Sequence, residues 1–219
     1  MNEDKKNLLI SMFVAALVIS NVLSAKLIQL GPLTVPGGVV CYAVTYLMTD
    51  ILGELYGKET AGRTVIYGLL CQIVCTALIS LTLLLPAADK EIGEAYQVAL
   101  GMNGWFTAAG LLSYIVSQLL DVEIFHGIRR KLIKKGPKHR WVWNNVSTIL
   151  SQAVDTVVFL GIAFGFGMGY LFDASLRGVL WRMMGSQYLV KVILAIADTP
   201  IFYLLTRNRE KIIKDGEKN

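Results

Sequence analysis

The chain has 219 residues, 54% hydrophobic and only 17% charged, with a mean hydropathy of +0.54. That is more apolar than an ordinary water-soluble domain of this length and excludes a disordered or fibrous chain. A net charge of +5, from 21 basic and 16 acidic residues, would suit nucleic acid, but the basic residues stand in the connections between apolar stretches, so they read as a topology signal and no nucleic-acid partner is expected.

Crossing roughly 30 Å of hydrocarbon takes about 20 mostly apolar residues as a helix. The first qualifying stretch is Leu8–Leu30. It is too long for a signal-peptide core and no clear small-residue cleavage signature follows it, so a membrane helix is expected. Asn21 falls near its middle, Lys26 towards its far end, and Ala16, Ser20 and Ser24 make a small-residue face that suits close packing, docking to a partner subunit or pairing with a second copy. Gly31, Pro32, Pro36 and Gly37 then turn the chain into a second stretch, Val35–Gly53, which ends at Asp50 and Glu54 beside Lys58 and Arg63. The third, Thr64–Leu85, carries Cys71 and Cys75 four residues apart on one face, with Cys41 in the second. No histidine lies at a comparable depth, so no metal and no cofactor is expected.

Pro86–Asn103 is the longest connection, and its Asp89, Lys90, Glu91 and Glu94 predict a short amphipathic surface helix. The fourth stretch, Gly104–His126, holds Gln118, Asp121 and Glu123 and leads into the basic run Arg129–Arg140. The fifth, Val142–Tyr170, includes Gly161, Gly165 and Gly169, spaced for close helix contact. The sixth, Gln187–Thr206, carries Lys191 towards its outer end and Asp198 near its middle. Six spans put both termini on one side. With that side cytoplasmic, only Lys90, Arg177 and Arg182 fall outside, Lys26 and Lys191 lie within helices, and all other basic residues are inside, as the positive-inside rule requires. The fold class predicted is therefore all-α, a polytopic six-transmembrane-helix bundle over residues 1–219 as a single domain, with both termini cytoplasmic and the lipid bilayer as its surroundings.

An ionised side chain at the bilayer centre costs at least about 2.5–3.5 kcal/mol on insertion scales, so each intramembrane charge needs a partner or a water-filled cavity. In the fifth stretch Asn144, Thr148, Ser151, Gln152 and Asp155 lie within about 100° of one another at helical spacing, a polar face that must look at protein, water or a ligand. Asp155 and Asp198 are both expected at mid-depth, together with Asn21 and Gln118, and these residues suggest a lined cavity. Carboxylates and amides suit the edge of a polar heterocycle, and Phe13, Tyr42, Tyr46, Phe159 and Phe202 could stack on its faces. The same residues would serve a cationic amine or a proton relay. A short echo links Ser117-Gln118-x-x-Asp121 to Ser151-Gln152-x-x-Asp155, and internal repeats place transporter sites at their interface.

The segments Ser20-Asn21 through Lys26, Thr49-Asp50-Ile-Leu-Gly53-Glu54-Leu-Tyr56-Gly57-Lys58, Asp121-Val-Glu123-Ile-Phe125 with Arg129-Arg130, Trp143-Asn144-Asn145, Ser151-Gln152-x-x-Asp155-Thr156 and Asp198-Thr199-Pro200 stand out along the chain. Together they resemble the bacterial queuosine-precursor transporter family, also described as vitamin-uptake-like. The resemblance spans nearly the whole chain. It implies a multi-pass protein of the bacterial inner membrane that takes up 7-cyano- or 7-aminomethyl-7-deazaguanine for queuosine salvage. On that reading Asp155 or Asp198 accepts the adjacent N–H groups of the ring, Asn21, Gln118, Asn144 and Gln152 complete the shell, and Asp50, Glu54, Lys58, Arg63, Asp121 and Glu123 serve gating or ion pairing.

Three other classes fit less well, the first a non-catalytic channel or helper protein, since a polar midplane also suits ion passage. A substrate-capturing subunit of an ATP-driven vitamin or nucleobase importer would need a separate ATPase, since the chain has no Walker A sequence. An intramembrane aspartyl enzyme could use Asp155 and Asp198 as a dyad, but neither stands in a Gly-x-Gly-Asp setting and no His-Glu-x-x-His or Gly-x-Ser-x-Gly occurs, so no enzyme activity is expected.

Overall fold

The computed structural model describes residues 3–24, 26–31, 33–101, 104–133 and 139–206. Pro32, Asn103 and the basic residues at 134, 135, 138 and beyond 206 that entered the topology argument lie outside the described residues. The element order is α1 (Glu3–Ser24), β1 (Leu27–Leu30), β2 (Leu33–Pro36), α2 (Val39–Tyr56), α3 (Lys58–Leu84), α4 (Lys90–Leu100), α5 (Gly104–Leu132) and α6 (Arg140–Leu160). A π-helical turn (Gly161–Phe166), α7 (Ala174–Ala197) and α8 (Thr199–Leu205) complete it. Six helical stretches are long and apolar enough to span a membrane: Glu3–Ser24, Val39–Tyr56, Lys58–Leu84, Thr107–Leu132, Arg140–Phe166 and Ala174–Leu205.

The number of spans agrees with the sequence, and several of their boundaries do not. The first helix stops at Ser24, not Leu30, because the chain folds there into an antiparallel hairpin, Leu27 opposite Pro36 and Leu30 opposite Leu33. Gly31, at φ +61°, makes the tight turn that an L side chain would strain. Gly37 N–H donates to the Lys26 carbonyl at 2.6 Å, and Ile28, Leu33, Val35 and Val39 pack with Val190 and Leu194 of α7, so the hairpin packs into the bundle. Lys26 is thus an exposed residue at the hairpin entry and not part of a helix. The last span begins at Ala174, not Gln187, capped by Asp173, whose carboxylate accepts from Ser175 N–H at 2.8 Å. Arg177 and Arg182 interrupt the apolar pattern on this first half, although Arg177 Nε donates to the Leu171 carbonyl at 2.9 Å. The chain passes from α2 to α3 through the single residue Gly57, at φ +87°.

The predicted surface helix exists as α4, started by Asp89 accepting from Ile92 N–H at 3.1 Å and burying no residue. The expected glycine face of the fifth span is different in kind. A β-carbon at Gly161 would meet open space, Gly165 backs onto Leu171, and Gly169 turns the chain at φ +76°. Close helix contact occurs instead at Gly38, whose position abuts the Ser20 carbonyl and Ser24 Oγ, so the small-residue face of α1 is used against α2 of the same chain.

Polarity is distributed inside out. Ile66, Leu70, Ile73, Leu78 and Leu81 form an exposed apolar ridge on α3, and α1 exposes Leu8, Met12 and Ile19, while Asp50, Glu54, Gln118, Asp121, Asn144, Gln152, Asp155 and Lys191 are buried. Such an apolar exterior suits lipid and not water. A core of Phe13, Ile51, Leu52, Phe125, Trp143 and Phe202 packs α1, α2, α5, α6 and α8 together. Lys5 Nζ donates to the Leu205 carbonyl at 3.2 Å, so the first and last spans meet at one end of the bundle, opposite the hairpin.

Candidate functional site

Three layers of polar residues follow one another from the hairpin end towards the terminal end. The uppermost centres on Asp155, which α6 carries on its polar face. Its Oδ1 accepts from Tyr42 Oη at 3.0 Å and from Ser117 Oγ at 3.1 Å, its Oδ2 accepts from Lys191 Nζ, and Tyr46 Oη donates to Ser117 Oγ at 2.8 Å. Lys191 also stands 5.4 Å from the centre of the Tyr42 ring. Helices α2, α5, α6 and α7 thus converge on one carboxylate. On its hairpin side lies a pocket of about 610 Å³ counting its mouth, lined among others by Asn21, Tyr42, Gln72, Phe159, Gln187 and Lys191. Asn21 and Gln72 also line a neighbouring pocket that reaches the end of α4 at Ala99 and Leu100. Gln72 Oε1 is buried without a hydrogen-bond donor.

One to two turns further along lies the second layer. Thr148 Oγ1 donates to Asp50 Oδ2 at 3.3 Å and Ser151 Oγ to Asp121 Oδ1 at 2.9 Å, and the Asp50 and Asp121 carboxyls are within hydrogen-bonding reach of each other. Asn144 approaches Asp198 at the α7–α8 junction. Gln118 spans α5 to α2, its Nε2 donating to Thr45 Oγ1 at 2.9 Å.

The third layer is ionic. Glu54, with a fully buried side chain, accepts from Arg129 Nε at 2.8 Å and has Arg140 Nε at 3.6 Å. Arg140 also bonds Thr206 and stacks on Phe202, 5.4 Å from the ring centre. Asn145 Nδ2 donates to Thr199 Oγ1 at 2.7 Å. Together these contacts tie α2, α5, α6 and α8 at the terminal end.

Of the residues expected to hold a ligand, Asn21 and Asp155 line the pocket, whereas Gln118, Asn144, Gln152 and Asp198 are not among its lining residues and lie with or near the second layer. Asp155 and Asp198 do not share a level: Asp155 pairs with Lys191, and Asp198 is seven residues beyond Lys191, roughly 10 Å at helical rise. Among the expected gating residues, Glu54 pairs with Arg129 and Arg140, not with Lys58 or Arg63. Lys58 pairs with Glu123 at 2.5 Å, and Arg63 with Glu59 at 2.5 Å on the exposed face of α3. Of the aromatics, Tyr42 and Phe159 reach the pocket, Phe13 and Phe202 belong to the apolar core and Tyr46 is buried against Ser117. Sequence reasoning missed Gln72 and Gln187, although a lone amide in an apolar span was the available signal, and took Lys191 for a residue near the membrane surface.

A family model described as "Putative vitamin uptake transporter" matches residues 36–205. The chain is 30% identical over 205 residues to the "Probable queuosine precursor transporter" of Bacillus subtilis (strain 168), an alignment covering 93% of this chain and 84% of that one. No solved structure matches. Both matches run through the spans that carry all three polar layers, which places those layers in a transporter and not in an enzyme. The chain is a multi-pass membrane protein and belongs to the queuosine-precursor transporter family, also described as vitamin-uptake-like.

Proposed function

We propose that the protein imports 7-cyano-7-deazaguanine, 7-aminomethyl-7-deazaguanine or both across the bacterial inner membrane, binding them in the pocket above Asp155. The terminal end is cytoplasmic in this reading. The observation that carries it is a pair of hydrogen-bond acceptors in one pocket, the Asp155 carboxylate and the donor-less Gln72 Oε1. A deazaguanine edge presents adjacent N–H donors, which a carboxylate accepts in a bidentate manner. In the structure Asp155 is satisfied by Tyr42, Ser117 and Lys191, so a ligand exchanges for part of that set. Lys191 released from Asp155 can donate to the ring carbonyl. Tyr42 and Phe159 flank the pocket and offer π-faces to a flat ring. The name of the Bacillus relative supports the same substrate class.

The layered arrangement supports alternating access. The pocket lies on the hairpin side of Asp155, while the Glu54–Arg129–Arg140 cluster lies on the terminal side, so in this reading the pocket is loaded from the outside. The test is accumulation of labelled 7-cyano- and 7-aminomethyl-7-deazaguanine in cells unable to make queuosine, with and without the protein. Uptake that restores queuosine in tRNA is expected. No uptake with the protein present in the membrane would remove these substrates and leave the pocket to another donor-rich heterocycle.

A further inference from the structure

The buried charges of the bundle do not all have partners. Asp155 is matched by Lys191 and Glu54 by Arg129 and Arg140. Asp50 and Asp121, among the described residues, have no basic group in ion-pair contact, and yet both are buried and within hydrogen-bonding reach of each other. What surrounds them is hydroxyl: Thr148 donates to Asp50 and Ser151 to Asp121. Asp121 Oδ2 and Asn144 Oδ1, both buried, have no hydrogen-bond donor. Two buried carboxyls that have hydroxyl donors but no cation, with one oxygen left without a donor, present the acceptor excess of a site for a small cation. Two carboxyls in contact are most simply satisfied by one hydrogen held between them, as in carboxyl dyads.

The other titratable groups around the pair are already engaged or distinct. On α2, Tyr46 donates to Ser117, and Glu54 is held by its two arginines. On α5, both ring nitrogens of His126 face backbone carbonyls, of Val122 at 2.9 Å and Gly53 at 3.3 Å. On α6, Asp155 is neutralised by Lys191 of α7, and Asp198 at the end of α7 is a further carboxyl near the pair. A connection to the substrate pocket also exists. The two Ser-Gln-x-x-Asp segments cross on antiparallel α5 and α6, so that Ser117 of one bonds Asp155 of the other while Ser151 bonds Asp121. Each carboxylate is held by the serine of the opposite segment, so the pocket and the carboxyl pair share one helix pair.

We propose that Asp50 and Asp121 form a proton-binding site, separate from the substrate pocket, that couples inward proton movement to uptake. A proton from the outer water is held between the two carboxyls while the pocket is loaded, and it leaves to the terminal side when the Glu54 cluster opens. This rests on the transport reading but not on the identity of the substrate.

Two measurements on the full-length protein in liposomes test it. Infrared spectra across a pH titration should show the carbonyl band of a protonated carboxyl that disappears in both Asp50→Asn and Asp121→Asn. Its absence from the wild-type protein overturns the site, whatever is transported and however the variants fold. An acid-outside pH gradient should drive accumulation of labelled 7-cyano-7-deazaguanine and a Na⁺ gradient alone should not. Asp121→Asn should lose gradient-driven accumulation while keeping substrate exchange at equilibrium. Accumulation driven by Na⁺, exchange indifferent to any gradient, or unchanged pH-driven accumulation in Asp121→Asn would each overturn the proposal. Absence of exchange in the wild-type protein would instead count against the deazaguanine substrate, leaving the infrared band to decide on the proton site.

Discussion

At Lys191 and Asp155 the bundle holds an ammonium and a carboxylate almost wholly out of contact with solvent, 4% and 5% exposed at their side chains. Breaking such a pair by removing one partner leaves a buried charge and costs about 3–5 kcal/mol, whereas replacing both with apolar groups of similar volume is often neutral. Asp155→Leu alone should therefore lower the thermal midpoint of the purified protein markedly, and Asp155→Leu with Lys191→Met should restore it. Uptake should be lost in both, because the acceptor is gone in both; recovered uptake in the double variant would show that Asp155 serves only to neutralise Lys191. Gln72 allows the opposite separation. Its Oε1 is buried without a donor, and a hydrogen bond is worth about 0.5–1.5 kcal/mol. Gln72→Leu should leave stability unchanged or raise it while weakening substrate binding about tenfold, which corresponds to ~1.4 kcal/mol; unaltered affinity in a binding titration would take Gln72 out of the site. Individual polar residues were legible in the sequence because an amide or charge stands out in an apolar run. Their partners were not, because depth depends on where a helix begins. A span starting at Gln187 puts Asp198 in the middle and Lys191 near an end, and the observed start at Ala174 moves Lys191 to mid-depth and Asp198 towards the terminal end.

Helices α2, α5, α6 and α8 meet at the terminal end through few but specific contacts, with Glu54 as the shared acceptor. Carrying a ligand through that end requires these elements to part, and the Glu54 ion pairs are the contacts that must exchange. Glu54→Gln keeps the shape and removes the charge. A cysteine placed at Ser147, buried on α6, in a chain with Cys41, Cys71 and Cys75 replaced, should react faster in the Glu54→Gln background with a membrane-impermeant thiol reagent supplied at the terminal end. Equal rates in both backgrounds would mean that the arginine cluster holds the fold without gating it. The sequence made the existence of these elements plain, since long apolar runs dictate spanning helices whatever their neighbours do. It was weakest where a local structure replaces a helix turn. Leu27, Ile28 and Leu30 continue the apolar run of the helix before them, and pairing across Gly31, with Ile28 and Val35 packed against α7, makes the segment a hairpin. The same holds for α7, where Arg177 and Arg182 lie within a helix that hydropathy alone starts later.

Taken whole, the molecule has an apolar exterior, a polar interior and two ends of different charge. Of the described basic residues, Lys5, Lys6, Lys58, Arg63, Arg129, Arg130, Lys131 and Arg140 belong to the terminal end, and Lys26, Lys90, Arg177 and Arg182 to the hairpin end. The positive-inside rule acts on lysine and arginine in short connections, and here it favours a cytoplasmic terminal end. Orientation matters because it sets which compartment reaches the pocket above Asp155 and which faces the Glu54 cluster. Glu59 and Glu94 are suitable reporters, since their side chains are 79% and 70% exposed and they sit at the start of α3 and on α4, at opposite ends of the bundle. In cysteine-free protein carrying either Glu59→Cys or Glu94→Cys, an impermeant reagent added to intact cells stripped of their outer barriers should label position 94 and spare position 59 until the membrane is broken. The reverse pattern would turn the pocket towards the cytoplasm, and the same layered bundle would then be loaded from inside, so that export and not salvage would be the direction its ground state favours.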